Sequence, residues 1–337
     1  MLRCTILILT LLLQTTLPDT VVAEQINYQA LADKFLKNAL QGDPIAQNNL
    51  GALYLKGRGI EQNYAQARSW FEKAVESELA GAMFNLGMVY LRGYGVPPDI
   101  VKANQLIARG AQTGDRDAQF FIGLHYYRGH GVKKDLASAR LWFRRAAEQG
   151  VAAAMYNLGI MYLDPDPVIG DEHEALKWLE KAADADYPGA DITIAKFNLA
   201  KSGDPMRVRL GVQQITALAE SNNLNAQIHL GMMYTFGQSV QEDHDEGRFW
   251  LERAASQGAH EAQLNLGNIF AEGLGVEKNL PLAFAWYAIS ADNGDEAAAQ
   301  NVKLLAEEFD DETRMEAAKQ TRILREKFGD NLNTDLE

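Results

Sequence analysis

The stretch DRDAQFFIGLHYYRGHGVKKDLASARLWFRRAAEQG, residues 115–150, is one unit of a pattern that runs through most of the chain. Its Ile122-Gly123 pair recurs every 36 residues, as Leu50-Gly51, Leu86-Gly87, Leu158-Gly159, Ile194-Ala195, Leu230-Gly231 and Leu266-Gly267. Its Trp142-Phe143 pair recurs at the same spacing, as Trp70-Phe71, Leu106-Ile107, Trp178-Leu179, Gln214-Ile215, Trp250-Leu251 and Trp286-Tyr287. A fixed period in this range marks a solenoid, whose units bury their apolar faces only by stacking on one another. The length of 337 residues would otherwise suggest two domains, but a solenoid grows along one axis without dividing into separate cores.

Within residues 115–150 two helices are predicted. Ala118, Ile122 and Tyr126 recur every four residues and share one face of the first. Gly129-His130-Gly131-Val132 ends it, because glycine adopts the left-handed conformation of a helix terminus without a side-chain clash. Asp135 stands where a carboxylate caps the second helix and favours its dipole, and Ala139, Trp142, Phe143 and Ala146 form that helix's apolar face. Small residues recur at one phase of each helix: Gly51, Gly87, Gly123, Gly159, Gly231 and Gly267 in the first, Ala67, Ala103, Ala139, Ala175, Gly247 and Ala283 in the second. A mid-helix glycine costs about 1 kcal/mol against alanine. The repetition is therefore read as close approach of paired helices, with large aromatic side chains between neighbouring pairs.

The pattern Ala-Gln-x-Asn-Leu-Gly, as in Ala46-Gln47-Asn48-Asn49-Leu50-Gly51, followed by Gly93-Tyr94-Gly95-Val96 and Ala146-Ala147-Glu148-Gln149-Gly150, resembles the Sel1-like repeat, a relative of the tetratricopeptide repeat. The resemblance covers about residues 44–294. It implies an all-α fold: an α/α superhelical solenoid of about seven 36-residue helix-turn-helix repeats, its concave face lined mainly by first helices. Repeats 4 and 5 depart from the pattern over residues 163–222, where any change of curvature is expected. Leu163-Asp164-Pro165-Asp166-Pro167 replaces the glycine turn in repeat 4. Repeat 5 has Ala195 for glycine and Gln214 for tryptophan, with a turn expected before Met206 and a helix over 208–221. Helical caps are expected at both ends. Residues 24–43 hold a lone second helix, and residues 295–337 hold capping helices and a short polar tail. The last helix, 311–328, is expected to pack inward through Met315, Ala318, Ile323 and Phe328.

Residues 1–23 read as a secretory signal. Arg3 precedes the apolar runs Ile6–Leu9 and Leu11–Leu13, which are too short to span a bilayer, and Val21-Val22-Ala23 offers a cleavage site after Ala23. An uncleaved anchor is the competing reading. The only cysteine, Cys4, falls in this segment, so the mature chain would have no disulfide and no cysteine metal site. The net charge of −13 disfavours nucleic acid and anionic lipid as partners. With the resemblance, these features imply a periplasmic protein with no membrane insertion after cleavage; secretion is the alternative destination.

No catalytic residue, cofactor site or metal site is assigned. The six histidines form no His-Glu-x-x-His arrangement, and His125 and His130 stand across a helix end. His229 takes a slot that is asparagine in four other repeats and is read as a polar contact between repeats. The acidic stretch 164–174 lacks the spacing of a calcium loop. The glycine pairs follow helices, with no Lys-Ser/Thr after them, and read as turns. No Gly-x-Ser-x-Gly is present, and no serine is followed by a lysine three residues later.

By analogy with tetratricopeptide repeats, three rows line the first-helix face. One holds Phe84, Phe120, Tyr156, Ile192, Ile228 and Leu264; the second Met88, Leu124, Ile160, Lys196, Met232 and Asn268; the third Leu91, Tyr127, Leu163, Leu199 and Thr235. Lys56, Arg92 and Arg128 share a further phase, where Asp164 and Glu272 reverse the sign. Phe84, Met88, Leu91, Arg92, Phe120, Leu124, Tyr127, Arg128, Tyr156, Ile160 and Met232 are the expected partner-binding residues, since aromatic and methionine side chains make good anchors. The expected function is a non-enzymatic adaptor for a protein of the cell envelope. A peptidoglycan-associated protein and a secreted effector are the alternatives.

Overall fold

A computed structural model of the protein describes residues 27–164 and 170–328. The expected signal segment, the polar tail after residue 328 and the middle of the acidic stretch lie outside these residues. Among the described residues there are seventeen helices and no strand. The chain divides into two compact units, one ending at Tyr187 and the other beginning at Pro188.

In the first unit, α1 (Tyr28–Leu40) precedes four helix pairs. These are α2 (Pro44–Lys56) with α3 (Tyr64–Glu76), α4 (Ala80–Arg92) with α5 (Ile100–Gln112), α6 (Arg116–Arg128) with α7 (Leu136–Glu148), and α8 (Ala152–Tyr162) with α9 (Glu172–Asp184). The second unit has three pairs: α10 (Ala190–Leu199) with α11 (Pro205–Glu220), α12 (Leu224–Phe236) with α13 (His244–Ala255), and α14 (His260–Glu272) with α15 (Leu280–Asp292). Then come α16 (Glu296–Glu308) and α17 (Asp311–Phe328).

The sequence sets the helix ends. Asp135 Oδ1 accepts from the backbone N–H groups of Ala137 at 3.0 Å and Ser138 at 3.2 Å, satisfying donors that the first turn of α7 leaves open. Its own N–H donates to the Tyr126 carbonyl at 2.9 Å and closes the turn from α6. Asn63, Asp99, Asp171, Asp243 and Asn279 cap α3, α5, α9, α13 and α15 at the same phase. Gly129 ends α6 at φ 75°, and a Cβ on Gly131 would lie 2.6 Å from both Ile100 Cγ1 and Asn104 Nδ2. The inter-helix loop therefore rests on the start of the preceding second helix, which only glycine permits there.

The two residues of each aromatic doublet have different roles. The second packs inside its own pair: a Cβ on Gly123 would lie 2.8 Å from Phe143 Cδ1, and one on Gly51 2.7 Å from Phe71 Cε1. The first reaches back to the preceding pair. Trp70 packs with Ala39, Ala46 and Leu50, Trp178 with Phe143 and Leu158, and Trp250 with Ile215 and Leu230. The second residue reaches the next pair as well, Phe71 joining Leu86 and Val89, and Phe143 joining Leu158 and Trp178. Buried glutamines tie the stack further. Gln119 Nε2 donates to the Ala111 carbonyl at 3.1 Å, one of the acceptors α5 leaves open at its end, while Gln119 Oε1 accepts from Gln149 Nε2 at 2.8 Å. Gln227 and Gln263 repeat both bonds in the second unit.

Repeat 5 is reworked within the same length. The expected turn before Met206 is present at residues 202–203, and the second helix begins at Pro205, capped by Asp204, so Met206 lies just inside it. The expected helix over 208–221 is thus one turn longer at its start, and the linker after α10 is shorter. The small residue moves across the pair. Ala195 replaces the first-helix glycine, and Gly211 takes the second-helix slot, where a Cβ would lie 2.8 Å from Leu199 N and 2.9 Å from the Ala195 carbonyl.

The last helix packs Phe328 inward as expected but otherwise turns a different face to the core. Ala317, Thr321 and Leu324 are buried, and Phe328 packs against Trp286 with ring centroids 5.3 Å apart. Met315, at 75% exposure, and Ile323, at 42%, point outward, as does Ala318. The reason lies in α15. Its Leu282, Ala285 and Ile289 join the cluster that Leu324 and Phe328 complete, whereas the phase of Ile289 is Arg253, Lys181 and Arg145 in other second helices. A helix apolar on every side needs cover on every side, and α17 supplies it, with Arg325 Nη2 bonded to Asp292 Oδ2 at 2.7 Å.

Candidate interaction face

Each first helix presents its rows where the 36-residue phase places them, but the rows differ in how far packing consumes them. Phe84 of α4 meets Phe121 of α6 at 5.2 Å between ring centroids and packs on Ile107 and Ile122. Phe120 lies 5.9 Å from Phe143, and Tyr156 lies 4.8 Å from Tyr187. Ile192 and Ile228 are buried, at 6% and 7% exposure, in the seam between their own pair and the next first helix. They are core residues and not surface ones. In the third row Thr235 is buried too, its Oγ1 donating to the Gly231 carbonyl at 2.8 Å.

Leu91 packs on the cluster around Phe71 and Leu86, and Met232 on that around Leu251 and Leu266. Phe120, Leu124 and Tyr127 pack on the cluster of Ala139, Phe143 and Leu158, so truncating Tyr127 removes core contact as well as surface. Met88 of α4 and Ile160 of α8 are half-buried and stand outside the core clusters. Arg92 and Arg128 end α4 and α6 and are exposed. Ten of the eleven expected residues lie in the first unit; Met232 lies in the second.

The titratable groups nearby are committed to structure. His125 is buried and its Nδ1 hydrogen-bonds Asn104 Oδ1, while Asn104 Nδ2 donates to the His130 carbonyl at 3.0 Å. The Asn104 oxygen can only accept, so Nδ1 carries the proton. Burial, then the neighbouring His130 and Arg128, lower the His125 pKa to about 4. Burial, then the charge of Lys196 on the preceding first helix, do the same to His229. Glu174 accepts from Lys177 Nζ at 2.6 Å and Trp178 Nε1 at 3.0 Å, with Arg144 Nη2 at 3.8 Å. The Lys177 hydrogen bond, then those other donors, hold its carboxyl below the usual range. Asp171, from the same acidic stretch, caps α9. Among the described residues no group of three or more His, Cys, Asp or Glu side chains could hold a metal ion. No described helix is long and apolar enough to cross a membrane.

The Sel1 repeat family model matches residues 44–78, 80–115, 116–151, 152–187, 224–258 and 260–295. The gap, residues 188–223, is the reworked repeat 5. A protective antigen of uropathogenic Escherichia coli strains with an SLR fold aligns at TM-score 0.70 and 26% identity, over 91% of this chain and 66% of that one. A Sel1 repeat protein from Oxalobacter formigenes aligns at TM-score 0.61 and 30% identity, over 81% of this chain and 79% of that one. Among curated relatives, DAP3-binding cell death enhancer 1 of Rattus norvegicus is 35% identical over 102 residues, 30% of this chain and 19% of that protein. Chitin synthase regulator SKT5 of Saccharomyces cerevisiae is 30% identical over 96 residues, 28% of this chain and 14% of that one. The chain thus matches a fifth or less of the length of these two relatives.

Proposed function

Because the chain belongs to the Sel1 repeat family, a family of scaffolds for protein–protein contact, we propose that it is a non-enzymatic adaptor that binds a partner protein on the first-helix face of its first unit. The observation that carries this reading is the set Met88, Ile160, Arg92 and Arg128. Two half-buried apolar side chains outside the core clusters and two exposed cations recur in phase on packed first helices. Apolar anchors flanked by charge are what a protein-binding surface needs. Two relatives carry names that speak of binding or regulating another protein, which supports a regulatory role here. The place of action we propose is the periplasm, from the reading of residues 1–23 as a signal cut after Ala23.

The test is cross-linking in cells, with Met88 and Ile160 each replaced by a photo-reactive residue in a tagged chain. The same single protein captured at both sites is expected. Capture only from an equivalent probe at Met315 on α17 would move binding to the C-terminal cap and overturn the assignment. Amino-terminal sequencing of the periplasmic fraction checks the location: Glu24 should be the first residue, and a full-length chain retained elsewhere would refute export.

A further inference from the structure

We propose that the partner of this face is a protein segment that is acidic and extended, held by Lys56, Arg92 and Arg128. The inference rests on the adaptor reading above and adds the chemistry of what is bound. Its basis is an uneven distribution of charge. The whole chain has 45 acidic and 32 basic residues, yet α2, α4, α6 and α8 hold Lys56, Arg92, Arg116 and Arg128 against one carboxylate, Asp117. Asp117 lies in the first turn of α6, at the opposite end from Arg128. The first helices of the second unit reverse this. There α10, α14 and α16 carry Asp191, Glu261, Glu272, Glu296, Glu307 and Glu308 against Lys196 and Lys303, and α12 carries no charged side chain apart from His229.

Lys56, Arg92 and Arg128 are exposed, share one phase and end three first helices that contact one another in turn. Among the described residues none of the three is in an ion pair, although twelve such pairs form elsewhere. The loops beyond them add Arg58, Lys133 and Lys134 against Glu61 and the two capping aspartates, Asp99 and Asp135. Cations at a helix C-terminus favour its dipole, but that requirement does not account for the second unit, where Glu272 and Glu308 occupy the same phase. Neighbouring packed helices lie roughly 8–10 Å apart, which is about one three-residue turn of polyproline II at about 3.1 Å per residue. The row thus matches carboxylates at every third residue of an extended polyproline II segment, whose three residues per turn return each third side chain to one face, with Met88, Leu124 and Ile160 one turn earlier to take the apolar residues between them.

The probe is a fluorescein-labelled peptide of four Glu-Leu-Ser repeats, titrated with the full chain and read by fluorescence anisotropy. Saturable binding that weakens with salt is expected, because exposed charge pairs are screened. Affinity should fall about tenfold or more in the combined Lys56→Gln, Arg92→Gln, Arg128→Gln variant and stay unchanged in Lys196→Gln, Lys303→Gln. Arg92→Gln alone serves if the combined variant melts early. Equal binding of a Lys-Leu-Ser peptide, an unaltered affinity in the combined variant, or tighter binding of oligothymidylate would each overturn the proposal. Self-association that the combined variant abolishes would do so too, by making a second copy the occupant. The two readings separate in cells. If the combined variant still cross-links its partner through Met88 and Ile160, the face stands and the acidic partner falls; if the unaltered chain captures nothing there, both fall.

Discussion

Repeat 3, residues 115–150, and repeat 5, residues 188–223, have the same length and nearly opposite sequences, yet both bury a small residue between two helices. In repeat 3 the room is made on the first helix, where Gly123 lies under Phe143. In repeat 5 it is made on the second, where Gly211 lies against the backbone of Leu199 and Ala195, and Ile215 fills the aromatic slot with no exposure. What the stack conserves is therefore a close approach of two helices and not a residue at a position. The family model skips residues 188–223 for the same reason: it scores residues, and only the packing survives.

The largest effect expected from this comparison is at Gly123. Valine there places a branched side chain where a Cβ alone comes within 2.8 Å of Phe143, and overpacking should cost about 3 kcal/mol or more. A urea titration read through Trp142 and Trp178 would show it as a lowered midpoint. An unchanged midpoint would mean that the Gly123 contact is not a constraint. Gly211→Ala is the matching test in repeat 5. Leu199 Cγ can yield, but the other two atoms it meets, Leu199 N and the Ala195 carbonyl, are backbone and cannot rotate away, so a loss of about 2 kcal/mol is expected. If Gly211→Ala is neutral while Gly123→Val is not, the displaced glycine in repeat 5 is incidental.

Much of this was legible in the sequence because it repeats. The cap at Asp135, the turn at Gly129 and the close approach of paired helices at Gly123 each follow from a residue type at a fixed phase. The buried end of the chain was harder to read, because α17 has no repeat to compare with and its inward face includes a polar residue. Thr321 is buried after donating its Oγ1 to the Ala317 carbonyl at 2.8 Å, so its polarity is met inside the helix, while Met315 and Ile323 are apolar and exposed. The usable signal lay on the partner: α15 is apolar at Leu282 and Ile289, where most other second helices carry polar or charged residues. The binding rows were half legible. Phase located them, but how deep a side chain lies depends on its reach. Ile192 and Ile228 end within the seam between repeats, whereas the longer rings at Phe84, Phe120 and Tyr156 emerge from it.

The two units can also be compared by acid. Each holds one buried or half-buried histidine whose pKa is lowered from 6.5 to about 4, His125 in the first and His229 in the second. A lowered folded pKa means that the folded state binds fewer protons than the unfolded state. Stability is then fully present above about pH 6.5 and declines as pH falls toward 4, by at most about 3 kcal/mol per site and by less where solvent screens the ring. Thermal melts between pH 7 and pH 4 should show this loss. His125→Asn should flatten the pH dependence of the first unit alone, and His229→Asn, the residue of four other repeats at that phase, that of the second. A slope unchanged in both variants would trace acid sensitivity to the carboxylates instead.

The smallest effect concerns the helix caps, and it bears most directly on what repeat 5 has kept. Asp135 caps α7 at the regular phase, and Asp204 caps α11 three residues ahead of it. Both accept from two backbone N–H groups at nearly the same distances, 3.0 and 3.2 Å in each case. Removing either carboxylate by Asp→Ala should cost about 1 kcal/mol. Asp135 also donates its N–H to the Tyr126 carbonyl across the turn, whereas Asp204 donates to Lys201 within its own loop. Both of these backbone bonds survive alanine, so the two losses should match to within a few tenths of a kcal/mol if the cap acts only on its own helix. A clearly larger loss at Asp135 would show that its carboxylate, which also accepts from Ser138 Oγ at 2.7 Å, anchors the loop as well. Asp135→Asn with Ser138→Ala would separate the cap from that second bond.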